Sequence, residues 1–264
     1  MNVQTLLLEG APAVRLQGPA GDAVIVLLRG AQVISWVDTR GVERLYRSPT
    51  SPLAGPQAVR GGVPVIFPQF SERGPLTRHG FARTHVWTLQ SADPSVPEPH
   101  VVLQMQHAAT ELSLWPHGCT CTLTVALLPQ GLRIALAVHN TGSTTLPFHA
   151  ALHTYLEVGD ITQATLTGVL PQQAVLSLDQ PIDHVFEAVS GPFHLRSPAS
   201  ALRLEHSAFP DVVVWNPGPD AVLADLPSQG YARFVCVEAA AVANAVELAP
   251  GAWWVGAQTL LHSA

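Results

Sequence analysis

Two residues stand where polar side chains are expensive to keep. His153 lies inside Ala150-Ala151-Leu152-His153-Thr154-Tyr155-Leu156, a run that otherwise reads as an apolar strand, and Glu238 ends Phe234-Val235-Cys236-Val237-Glu238. A carboxylate in apolar surroundings is costly unless it is paired or functional. An imidazole titrates near neutral pH. Brought into one pocket, the two would make a general base and a general acid. Taken singly, each has a plainer reading: a histidine in such a strand is more often a hydrogen-bonded core residue, and carboxylates at strand ends often point to solvent.

A second concentration of chemistry runs from Arg60 to Arg83. It opens Arg60-Gly61-Gly62-Val63-Pro64-Val65-Ile66-Phe67-Pro68-Gln69-Phe70, closes Leu76-Thr77-Arg78-His79-Gly80-Phe81-Ala82-Arg83, and also carries Arg73. A long irregular segment rich in Gly, Pro and Arg is a candidate binding loop. Its planar guanidiniums suit an anion, phosphate above all; the plainer reading is a set of solvated loop arginines. Asp211 precedes Val212-Val213-Val214-Trp215, and Asn216-Pro217-Gly218 is a turn signal. After three valines, Trp215 is expected in the core rather than against a sugar face. His149 and His153 are four apart, which on a strand puts both on one face. A metal site would need a third and fourth ligand close by, and no His-x-His cluster occurs, so no metal is expected. Cys119-Thr120-Cys121 alternates as a strand would, with both thiols on one face as small apolar fillers rather than metal ligands.

The elements that position these residues follow from composition and punctuation. The chain has 264 residues, 47% hydrophobic and only 12% charged, enough to bury a sizeable core. Its 20 glycines and 23 prolines are scattered along the whole length, the mark of many short strands joined by turns. Runs of β character recur at Ala23–Leu28, Ala31–Val37, Val101–Gln106, Thr120–Leu128, Leu132–Asn140, Ala174–Leu178, Leu202–His206, Val212–Trp215, Phe234–Glu238 and Ala252–Leu261. Prolines interrupt most helical candidates; Asp220–Leu226 could form one or two helical turns. One antiparallel β domain over residues 1–264 is expected, a β-sandwich.

All 13 basic residues are arginine and none is lysine. Schiff-base catalysis and an ordinary Walker phosphate loop are therefore excluded. The net charge of −6, with no basic stripe, argues against nucleic acid and anionic membrane as partners. Three cysteines, an odd number without framework spacing, suit a reducing compartment. Met1–Thr5 has no positive region ahead of its short apolar run, and no apolar run reaches membrane-span length, so a cytoplasmic location is expected.

Arg60–Pro68, His79–Arg83, Leu152–Tyr155 with Val158-Gly159-Asp160-Ile161, Val213–Pro217 and Phe234–Glu238 occur in that order, preceded by Gly30-Ala31-Gln32-Val33-Ile34-Ser35-Trp36. Together these motifs resemble the hexose-6-phosphate mutarotase (glucose-6-phosphate 1-epimerase) branch of the aldose 1-epimerase family. Each motif alone is weak; their order and span over nearly the whole chain are specific. The resemblance implies a galactose-mutarotase-like supersandwich of large antiparallel sheets, with His153 as general acid and Glu238 as general base. It implies that His79 binds substrate, that Arg60 and Arg83 hold the 6-phosphate of a phosphosugar, and that Asp211 is a hydroxyl ligand. Gln69, in a loop where the family commonly carries a Trp, is placed with the substrate-binding residues. Asp183-His184-Val185-Phe186 departs from a family Asp-Arg pair but keeps Asp183. No cofactor is implied, since only protons move, and many relatives act as monomers. A plain aldose 1-epimerase acting on free hexoses and a non-catalytic carbohydrate-binding protein are the alternatives.

Overall fold

The computed structural model describes residues 2–263. Three antiparallel sheets organise them. Asn2–Leu8, Ala11–Gln17, Ala23–Leu27 and Val33–Val37 form a four-stranded meander in sequence order. A nine-stranded sheet runs, edge to edge, through Leu176–Ser177, Thr165–Thr167, Phe193–Arg196, Ala201–Ser207, Trp253–His262, Gly131–Asn140, Cys119–Leu128, His100–His107 and Thr88–Asp93. The third sheet orders Ile182–Phe186, Asp211–Asn216, Phe234–Leu248, Leu146–Leu152 and Val65–Ile66, with Tyr155–Glu157 also paired to Phe234–Leu248.

Strand alternation explains the core. Val101, Leu103 and Met105 point inward, as do Cys119, Cys121, Leu123 and Val125, and Leu132, Ile134, Leu136 and Val138. They join Val212, Val214, Val235, Val237 and Ala239 of the third sheet in an apolar cluster reaching from Val14 to Leu260. Both thiols of the Cys119-Thr120-Cys121 run share this buried face, as their spacing predicts.

One expectation fails for an identifiable reason. Asp220–Leu226 forms no helix; it is a loop with a turn in which the Leu226 N–H bonds Leu223 O at 3.0 Å, and Pro217, Pro219 and Pro227 leave no room for a longer helical ladder. His149 and His153 keep the shared face their spacing predicts: Phe148, Ala150 and Leu152 all turn into the main core, and the N–H groups of His149 and His153 bond Pro68 O and Pro64 O in one continuous register. They nevertheless serve different cavities. His149 lines a separate cavity of about 170 Å³ with Trp115 and Gly74. Gly30 fixes the seam between the first meander and the arginine loop: its φ is +73°, and a Cβ there would lie 2.5 Å from Arg83 O.

Candidate active site

The Phe234–Leu248 strand carries the site. Its partners on one side are Leu146–Leu152, ending at Leu152 opposite Ala239, and Tyr155–Glu157, starting at Tyr155 opposite Cys236. The two residues between, His153 and Thr154, stand opposite Glu238 and Val237, where the regular ladder is interrupted. Alternation turns Val237 into the core and Glu238 toward the cleft. His153 Nε2 lies 3.3 Å from Glu238 Oε1, and the two residues are 9% and 1% exposed. The Tyr155 ring stacks on His153 at 4.9 Å and 9°. His153 Nδ1 and Glu238 Oε2 are buried without a hydrogen-bond partner.

Burial pushes His153 well below its ordinary proton affinity, with His79, Arg83 and Arg60 adding to the effect. Burial likewise pushes Glu238 well above the carboxylate range, with Asp183 adding to it. Both shifts favour a pair that holds one proton between its members. A second proton must go to an imidazole that resists it, and loss of the first must come from a carboxyl that resists ionising.

His79 sits over this pair, its ring 5.8 Å from that of His153 and edge-on to it. Its backbone is left-handed, φ +69°, an unusual conformation for a residue with a Cβ. Nδ1 accepts the Ser71 N–H at 3.2 Å, which leaves the ring proton on Nε2. Burial, then Arg83 and Arg78, lower its pKa to about 3. His79 is thus a neutral donor across the working pH range.

Glu238, His153 and His79 line a cavity of about 260 Å³ together with Asp183, Val213 and Trp215. A second cavity of about 670 Å³ adjoins it, and Arg60, Arg78 and Arg83 border both. The arginines are not equivalent. Arg60 Nε bonds Asp225 Oδ1 at 2.7 Å, its Nη1 reaches the Tyr155 hydroxyl at 3.3 Å, and its guanidinium lies 5.9 Å from the Trp215 ring centroid. Arg83 donates to the Arg78 carbonyl at 2.7 Å. Among the described residues, neither Arg78 nor Arg83 has a carboxylate partner. Two unneutralised cations at one cavity wall are suited to a dianion.

His153, Glu238, His79, Arg60 and Arg83 are therefore brought together. Asp211 and Gln69 are not. Both Asp211 oxygens are taken by backbone N–H groups, Oδ2 by Val242 at 2.9 Å and Ala243 at 2.8 Å, Oδ1 by Ala188 at 3.2 Å. It holds an irregular stretch of the long strand instead of a substrate hydroxyl. Gln69 accepts from Leu76 N and donates to Ser71 O and Leu76 O, closing the arginine loop from within. Trp215 reverses its expectation: it is half-buried and lines the cleft. Its register gave the signal, since Trp215 lies two residues beyond Val213, the partner of Glu238, and so on the same face. Arg78, one of the loop arginines, and Asp183, the retained member of the Asp-Arg pair, also reach the cleft, as does Tyr155, to which the sequence assigned no role. Asp183 lies directly across the ladder from Trp215.

A supersandwich whose cleft pairs a buried imidazole with a buried carboxylate has the architecture of the galactose-mutarotase-like sugar isomerases. The family model for aldose 1-epimerase matches residues 12–260, and the chain belongs to that family of isomerases. It is similar to the "Putative glucose-6-phosphate 1-epimerase" of Cenchrus ciliaris, 32% identical over a 275-residue alignment covering 94% of this chain and 84% of that protein. A protein of the same name from Escherichia coli K12 is 30% identical over 234 residues, 81% of this chain and 78% of the relative. In fold it is similar to a "putative mutarotase" from Salmonella typhimurium, with a TM-score of 0.88 and 24% identity over 98% of this chain and 92% of the other. A galactose mutarotase-like protein from Clostridium acetobutylicum superposes with a TM-score of 0.77 at 16% identity, covering 100% of this chain and 98% of the other.

Proposed function

We propose that this enzyme interconverts the α and β anomers of a hexose 6-phosphate, glucose 6-phosphate foremost, by opening and reclosing the sugar ring. The observation that carries the reading is the contact between His153 Nε2 and Glu238 Oε1 at 3.3 Å, both buried at the foot of the cleft. The reaction removes a proton from the anomeric hydroxyl and delivers one to the ring oxygen. Both oxygens are bonded to C1, so an acid and a base in contact with each other can reach them together.

Glu238, as carboxylate, takes the hydroxyl proton; His153, as imidazolium, gives its proton to the ring oxygen. The C1–ring oxygen bond breaks as the C1 carbonyl forms. Rotation about C1–C2 presents the other face, and the return transfers restore the starting pair. One proton enters and one leaves at each step, so the pair's proton count never changes. Neutral His79 donates to a sugar oxygen, Asp183 accepts from hydroxyls, and Trp215 supplies an apolar wall. Arg78 and Arg83 face the 6-phosphate, while Arg60, neutralised by Asp225, walls the boundary between the two cavities. The names of the relatives point to the same substrate. Three free buried cysteines suit a cytoplasmic enzyme.

The test is an anomerisation assay run side by side on glucose, galactose and their 6-phosphates, with His153→Ala as control. Turnover of glucose 6-phosphate well above the free sugars, abolished in the variant, is expected. Equal rates on glucose and its phosphate would remove the phosphate from the proposal, and full activity in His153→Ala would remove the acid.

A further inference from the structure

Gln258 is a polar side chain with no solvent exposure at all, set in the apolar space between the nine-stranded sheet and the catalytic sheet. A buried amide is costly unless its groups are bonded, and two of the three partners of Gln258 adjoin the catalytic pair, while the third, His206, is its cross-strand neighbour. Its Oε1 accepts the Thr154 hydroxyl. Its Nε2 donates to Val237 O at 2.9 Å and to His206 Nε2 at 3.1 Å. Burial lowers the His206 pKa to about 3, so that imidazole is neutral and able to accept.

Thr154 follows His153, and Val237 precedes Glu238. In a regular antiparallel ladder, this pair of residues would exchange two backbone bonds. Only one is present: Val237 N–H donates to Thr154 O at 3.1 Å. The Thr154 N–H has turned back to Leu152 O at 2.9 Å, a kink directly after His153, whose own N–H keeps its ladder bond to Pro64 O at 3.0 Å. The Val237 carbonyl therefore lacks its backbone donor, and Gln258 Nε2 takes that place.

We infer that Gln258 is a positioning residue for catalysis: it replaces the ladder bond given up at His153–Thr154 and, through Thr154 and Val237, holds His153 and Glu238 in reach of one another. The kink removes one ladder bond beside the pair, and a side chain from the opposite sheet supplies the rigidity lost with it. His206 fixes the amide's remaining N–H and with it the orientation of the group. The inference rests on the assignment of His153 and Glu238 as the reacting pair.

Gln258→Leu keeps the volume and removes all three bonds; Thr154→Val removes only the hydroxyl. Both are compared with the parent for kcat, KM and the pH dependence of kcat, on protein shown by circular dichroism to be folded. Leu103→Ala, in a strand separated from Trp253–His262 by two others, serves as a core substitution that lowers Tm away from the relay. A displacement of about 1 Å between reacting groups costs up to ~10²-fold. Gln258→Leu is therefore expected to lower kcat by about that factor with KM little changed and the kcat plateau narrowed. Thr154→Val should lower kcat less, Thr154→Ser should restore it, and Leu103→Ala should leave kcat near the parent value. A parental kcat and pH profile in folded Gln258→Leu overturns the inference. If that variant does not fold, a parental kcat and profile in Thr154→Val overturns it. Full activity in His153→Ala would instead strike at the underlying assignment, separately from Gln258.

Discussion

Replacing Glu238 with glutamine separates what the carboxylate does for the reaction from what it costs the fold. The amide keeps the shape and cannot take a proton. It also withdraws the negative charge 3.3 Å from His153 Nε2, so the imidazolium needed for ring opening loses its stabilising partner. Both proton roles suffer at once. General acid–base assistance is typically worth about 10²–10⁴-fold, roughly 3–5 kcal/mol at 1.36 kcal/mol per decade. Glu238→Gln should lose that much in kcat, with KM near the parent. Adding His153→Ala should lower activity little further, because the two residues act as a unit. Saturation-transfer NMR between the two anomeric protons, with the spontaneous rate subtracted, reads this directly.

Stability should move the other way. Burial, and next Asp183, raise Glu238 in the folded protein above its ordinary 4.5. A group raised on folding contributes its full stability below its unfolded pKa and loses it as pH climbs through the folded value, each tenfold in proton affinity being about 1.4 kcal/mol. The glutamine variant has no such loss. Its Tm should match the parent near pH 4 and exceed it increasingly toward pH 8. The opposite outcome, a loss of about 3–5 kcal/mol at neutral pH, is what breaking a buried structural ion pair produces. That loss, or parental turnover, would refute the reasoning.

Asp211→Asn should leave kcat and KM near parental values while lowering stability by about 1–3 kcal/mol, since charge-assisted bonds to three backbone N–H groups are weakened; thermal melts and kinetics on the same sample check both halves. Arg78→Gln and Arg83→Gln should each raise KM for glucose 6-phosphate by about 10–100-fold, the worth of one charged hydrogen bond, with free glucose unaffected. Arg60→Gln, whose guanidinium already serves Asp225, should raise it less, and an equal effect at all three positions would contradict the division drawn between them.

The strands that reveal themselves in the sequence are those with an unbroken alternation, such as Cys119–Leu128 and Gly131–Asn140, where one face is core and the pattern is the physics. The Asn2–Leu8 strand escaped because its residues are mostly exposed and carry no such alternation. In the site, ordered motifs single out His153 and Glu238, and the structure brings the two into buried contact. Asp211 misleads because a carboxylate beside a motif looks the same whether it faces a sugar or three N–H groups, and only the path of the long strand decides. Trp215 misleads because valine neighbours suggest a core, while its face is set by register to Glu238. His149 shares the face of His153 but lines another cavity, a separation along the strand that alternation alone does not express.

The cleft is bordered by arginine at all three cationic positions, 60, 78 and 83, in a chain with no lysine anywhere. In the proposed ring-opening reaction the sugar is, for part of each turnover, a free aldehyde, and an aldehyde held beside an ε-amine condenses with it. A guanidinium stays protonated and offers no lone pair for that attack. In the proposed reaction, an all-arginine wall would therefore hold a phosphate at close range without forming the imine that an amine there would form with the open-chain sugar. Arg83→Lys would restore an amine to that wall, and borohydride added during turnover should then leave a sugar phosphate reductively fixed to it, a mass increase the parent protein does not acquire.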